Sequence, residues 1–128
     1  MALRDHLKLL VVDDMSTSRG LITQALEDFG IQQVEIAESG AQAMESLARS
    51  PVHLVLSDYN MPGMDGLALL EAVRHDAKTQ STGFIMITGR ATKELVERGR
   101  ALGLNNYLAK PFTPLDLRHC IEAVVGRL

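Results

Sequence analysis

Short apolar runs alternate along this chain with longer segments in which apolar residues recur every three or four positions. The short runs cover 8–12, 34–37, 54–57, 84–88 and 107–109. Short apolar runs of this kind predict buried strands. In the first longer segment Leu21, Ile22, Ala25, Leu26 and Phe29 share a helical face, and Gly30 follows as a stop signal. The second opens on Ser39 with Gln42 three residues on, the pattern of a capping box. The third begins near Asp65 and carries Leu67, Leu70 and Val73 on one face. A fourth runs from about Thr92 to Leu102 and stops at Gly103. The fifth starts at Thr113-Pro114, an N-cap followed by Pro in the first turn, with a stripe of Leu117, Ile121, Val124, Val125 and Leu128. Five strand–helix units joined by short connections predict a parallel α/β sheet with helices on both faces and right-handed crossovers.

Bulk properties narrow the field. A length of 128 residues suits one domain, expected over 1–128. At 46% hydrophobic and 4% aromatic, with no Trp, the core must be aliphatic. A net charge of −3 argues against nucleic-acid binding, and no Lys/Arg run suggests a membrane surface. The single cysteine, Cys120, excludes an internal disulfide and reads as a small core or boundary residue. His6, His53, His75 and His119 lack metal-ligand spacing. With no signal peptide and no bilayer-spanning run, a cytoplasmic protein is expected.

The candidate chemistry is positional. Asp13 and Asp14 follow the first strand, Asp58 the third, Thr88 ends the fourth and Lys110 follows the fifth. Open α/β sheets bind ligands beyond the carboxyl ends of their strands, so these groups converge on one edge. The second strand, ending in Ala37-Glu38, is expected to contribute nothing. Asp14 alone could equally be a helix cap. Three carboxylates at one edge, however, repel by up to ~4 kcal/mol per pair at about 4 Å and an effective dielectric of about 20. Mg²⁺, a hard cation with oxygen ligands, would relieve that repulsion. The loop from Asp58 to Gly66, stiffened by Pro62 and Gly63, can fix Asp58 and offer the Asn60 carbonyl to the cation. An Asp carboxylate can accept a phosphoryl group. Such a transfer needs charge neutralisation, which Mg²⁺ and Lys110 would supply, with Thr88 as a hydroxyl donor.

Several segments together resemble the receiver domains of two-component response regulators, specifically the chemotaxis-type, CheY-like single-domain group. They are Leu-Val-Val-Asp-Asp at 10–14, Asp-Tyr-Asn-Met-Pro at 58–62, Met-Asp-Gly at 64–66, Thr88, and Tyr-Leu-Ala-Lys-Pro-Phe-Thr at 107–113. The resemblance implies a doubly wound, flavodoxin-like fold with five parallel strands in the order 2-1-3-4-5. It also implies a signalling phosphoacceptor that assists its own phosphorylation and dephosphorylation rather than an enzyme. Asp58 would take phosphate from a CheA-like sensor histidine kinase. Asp14, Asp58 and the Asn60 carbonyl would ligate Mg²⁺ directly, and Asp13 through water. Lys110 would pair with the phosphoryl group, Thr88 would hydrogen-bond it, and Tyr107 would turn inward. The Lys110-Pro111 bond is expected to be cis. Gly89 stands where Ala is common and Arg90 where well-known members carry Glu; with Asn60 they are candidate modulators of phosphoryl lifetime.

The expected partners are the kinase, a flagellar motor switch protein and a phosphatase, met by a monomer. A phosphate sink or phosphorelay intermediate is the alternative output. A Mg²⁺-dependent phosphatase of the haloacid-dehalogenase type fits less well, because its nucleophile follows the first strand and its acidic pair comes last.

Overall fold

The computed structural model describes residues 2–128. Five strands form one parallel sheet: β1 (Lys8–Val12), β2 (Gln33–Ala37), β3 (Leu54–Asp58), β4 (Gly83–Thr88) and β5 (Asn106–Ala109). Their order is β2-β1-β3-β4-β5. The register sets Val12 opposite Ala37 and Ser57, Asp58 opposite Ile87, and Thr88 opposite Ala109. Asp13, Asp58, Thr88 and Lys110 therefore lie within one residue of the same edge.

The connecting helices are α1 (Ser16–Asp28), α2 (Gly40–Arg49), α3 (Gly66–His75), α4 (Lys93–Ala101) and α5 (Pro114–Val125). Strand pleating separates the core into two layers, because successive side chains point to opposite faces. Leu9 and Val11 of β1 and Leu54 and Leu56 of β3 pack with α1 and α5 through Ile22, Leu26, Leu117 and Ile121. Leu10, Val12 and Val55 pack with α2, α3 and α4 through Leu47, Leu70, Val73 and Leu95. Each fully buried aliphatic side chain contributes about 2 kcal/mol relative to exposure.

Four helices start on a side-chain cap: Ser39, Asp65, Thr92 and Thr113 each accept a hydrogen bond from the backbone N–H three residues on. The expected box at Ser39 closes differently. Gln42 reaches the Glu38 N–H at 2.9 Å instead of that of Ser39. α1 has Met15 at its N-cap with no side-chain bond, so Asp14 does not cap it. Leu128 lies beyond the end of α5 yet is buried against the same layer.

Candidate functional site

One carboxylate oxygen from each of Asp13, Asp14 and Asp58 lies within 4.8 Å of the other two. Asp13 is fully buried and Asp58 is 7% exposed, whereas Asp14 faces solvent. The turn after β1 holds Asp13 in place. Its N–H donates to the Ala37 carbonyl and its Oδ1 accepts from the Met15 N–H at 2.9 Å. Asp13 Oδ2 is buried and has no hydrogen-bond partner. An orphaned buried acceptor costs about 1–3 kcal/mol, and more when charged. A charged oxygen so placed among three carboxylates, with one side of the cluster open at Asp14, fits a divalent cation with oxygen ligands.

Lys110 enters from the other side of the cluster. Its Nζ lies 3.1 Å from Ser18 Oγ, 3.4 Å from Asp58 Oδ1 and 3.7 Å from Asp13 Oδ2. Burial raises the Asp58 carboxyl above the ordinary 3.8; Lys110 opposes this, Asp13 reinforces it, and the Asn60 N–H opposes it. The peptide bond from Lys110 to Pro111 is cis.

The loop after β3 is anchored at both ends. The Tyr59 N–H donates to the Ile87 carbonyl, and the Gly66 N–H to the Tyr59 carbonyl. Gly66 is required by close approach, since a Cβ there would lie 2.7 Å from the Asp58 carbonyl oxygen. Gly63 turns the loop at φ 75°. Asn60 itself is exposed on the rim.

Thr88 is buried, and its Oγ1 accepts from the Arg90 N–H at 3.0 Å, leaving the hydroxyl proton free to donate elsewhere. A narrow recess lined by Met86, Thr88, Leu95, Val96, Leu104 and Tyr107 runs from that hydroxyl to the outer strand. Tyr107 is 36% exposed at its mouth. A Cβ at Gly89 would meet nothing within 4 Å, so packing does not exclude Ala there. Arg90 lines a neighbouring recess with Tyr59, Thr92, Glu94 and Arg98.

The second strand contributes after all. Arg19 donates to the Asp13 carbonyl at 2.8 Å and pairs with Glu38 at 3.4 Å, tying the turn after β1 to the turn after β2. Ser18, Arg19 and Glu38 are the site residues that the sequence pattern did not single out. No local signal marks them, because their partners are set by the docking of α1 against neighbouring turns. Met15 is 60% exposed beside an apolar groove that also includes Leu21, Phe112 and Pro114. Cys120 is buried, which pushes its thiol up to about 11.

A nearly buried aspartate beside other carboxylates and a lysine ammonium thus sits at the switch point of a doubly wound α/β sheet. The chain belongs to the response regulator receiver domain family, whose model matches residues 9–122. It is 44% identical to the probable chemotaxis protein CheY of Rhizobium etli, over 100% of this chain and 99% of the relative. Among solved structures it resembles CheY4 of Vibrio cholerae at 32% identity and a TM-score of 0.87, over 92% of this chain and 98% of the other. It also resembles the receiver domain of a sensor histidine kinase from Pseudomonas aeruginosa, which carries a magnesium ion in its active-site cleft. That match has 26% identity and a TM-score of 0.84, over 94% of this chain and 98% of the other. The protein is thus a CheY-like receiver of a two-component system, a signalling phosphoacceptor. No helix among the described residues is long and apolar enough to cross a membrane.

Proposed function

We propose that this protein is a chemotaxis switch, phosphorylated on Asp58 by a CheA-like histidine kinase and read by the flagellar motor switch protein. It would act in the cytoplasm as a monomer. The observation that carries the reading is Asp58 itself, nearly buried, with one oxygen paired to Lys110 within a cluster of carboxylates.

In the proposed transfer an Asp58 oxygen lone pair attacks the phosphorus of a phosphohistidine in line with its P–N bond. That bond breaks, its electron pair passes to the imidazole nitrogen, and the nitrogen is protonated as the donor leaves. Lys110 neutralises charge on the transferring oxygens, and the Thr88 hydroxyl donates to one of them once it arrives. Asp14, Asp58 and the Asn60 carbonyl would hold Mg²⁺ directly, with Asp13 through water. The cation supplies the further positive charge that phosphoryl transfer needs.

Arg90, Gly89 and Asn60 border the approach of water or a phosphatase, so they are proposed to set phosphoryl lifetime. In this reading the protein assists both its phosphorylation and its dephosphorylation.

The test is transfer of labelled phosphate from the autophosphorylated kinase, followed by pull-down on a motor-switch peptide. Label should map to Asp58, vanish in Asp58→Asn, and strengthen peptide capture. Labelling elsewhere defeats the site assignment. Labelling at Asp58 without any gain in capture replaces motor output with a phosphate sink or relay. Millimolar Mg²⁺ should also raise the Tm, since a ligand that binds only the folded state stabilises it. Asp14→Ala should lose most of that rise; an equal rise in the variant rejects Asp14 as a ligand.

A further inference from the structure

We infer that Ser18 is a positioning residue for Lys110, holding its ammonium between phosphorylation events; this rests on the phosphoacceptor reading above. Three oxygens surround Lys110 Nζ, and the nearest is the Ser18 hydroxyl at 3.1 Å, ahead of Asp58 Oδ1 at 3.4 Å and Asp13 Oδ2 at 3.7 Å. That order is the reverse of what charge alone dictates, because an ammonium is drawn more strongly to carboxylates than to a hydroxyl.

The Ser18 hydroxyl does not cap its own helix. The N-cap of α1 is Met15, which has no side-chain bond. Ser18 is half-buried, and its described side-chain hydrogen bond is the one from Lys110, 92 positions away. It therefore ties α1 to the turn after β5 through the reactive ammonium.

The consequence follows from what lies opposite. Without the hydroxyl, the ammonium would close further on Asp58 Oδ1 and on Asp13 Oδ2, which has no hydrogen bond and now lies 3.7 Å away. Two effects would then oppose phosphorylation. The attacking carboxylate would be held in a tighter ion pair, and positive charge would lie where the carboxylate cluster is suited to a cation. Ser18 keeps the ammonium to one side, poised to meet an incoming phosphoryl group.

The test measures phosphorylation by phosphoramidate at saturating donor and fixed Mg²⁺, with the Lys110 Cε–H resonance followed in the unphosphorylated protein. Ser18→Ala should slow phosphorylation roughly 3- to 10-fold and shift the Lys110 resonance. Ser18→Thr, which keeps a hydroxyl, should restore both. In a Lys110→Ala background Ser18→Ala should cause no further loss, because the two residues act through one contact. An unmoved Lys110 resonance in Ser18→Ala, or the same rate loss without Lys110, overturns the inference. If the wild type takes no label at Asp58, the functional proposal fails instead, and the Lys110 resonance alone still decides the role of Ser18.

Discussion

At Asp58 burial and charge act against each other. Burial favours the protonated acid, while Lys110 and the Asn60 N–H favour the carboxylate, and burial prevails. The folded state therefore retains this proton to higher pH than the unfolded chain does. Stability from this group is complete below the unfolded value of 3.8 and falls as pH rises through the folded pKa. At neutral pH the ionised carboxylate is a liability, so Asp58→Asn should be more stable than wild type with EDTA present. Lys110 keeps Ser18 and Asp13 as neighbours in that variant. Urea unfolding at pH 7 and at pH 3 measures the effect; the advantage should be present at the first and absent at the second. Equal stability at pH 7 would show that the ion pair with Lys110 cancels the burial. Ser18, Arg19 and Glu38 show where sequence reading stopped at this scale. A serine and an arginine early in a helix are ordinary there, and only the docking of α1 against the turns after β2 and β5 gives them partners.

Among the elements, α3 is packed directly against the site. Its first residue, Gly66, lies against the backbone of Asp58 and Tyr59. Gly66→Ala should destabilise the fold by about 1–3 kcal/mol through overpacking and also slow phosphorylation by displacing Asp58. Denaturant titration and phosphoramidate labelling check the two parts; a variant at wild-type stability would show that the loop yields freely. The other end of α3 is fixed by Arg74, whose guanidinium donates to the carbonyls of Gln80, Thr82 and Gly103 and to Asn105 Oδ1. Arg74→Ala should cost about 2–3 kcal/mol. Arg74→Lys should recover little, because an ammonium lacks the planar fork that reaches these acceptors. Full rescue by Lys in thermal unfolding would reduce the clamp to simple charge. Most element boundaries were legible because caps and apolar runs are local signals. Strands β2, β4 and β5 each begin one residue earlier than their apolar runs, at Gln33, Gly83 and Asn106, and β3 ends one later at Asp58. Those extra positions are fixed by pairing with neighbouring strands, which a single segment does not record.

For the whole molecule, the recess between Thr88 and Tyr107 joins the end of β4 to the α4-β5 surface. A phosphoryl group adds about −1.5 to −2 charge beside Thr88 and Lys110. It moves the equilibrium only by binding one arrangement better than the other, and a full inversion from 1:99 to 99:1 needs roughly 5.5 kcal/mol. With beryllofluoride and Mg²⁺ bound, amide shifts should change at Tyr107 and along α4 as well as at Asp58, and Thr88→Ala should confine them to the acidic pocket. Changes confined to that pocket in the wild type would leave Tyr107 as a packing residue. The sheet has one more consequence, because it is a wall between two interiors. Among the described residues the buried side chains fall into two separate clusters, one under α1 and α5 and one under α2, α3 and α4, on opposite faces of the sheet. Each layer is free to drift in volume and shape without a matching change in the other. Recombination between distant relatives that exchanges one layer's inward-facing side chains should therefore yield folded offspring far more often than exchanges that split a layer.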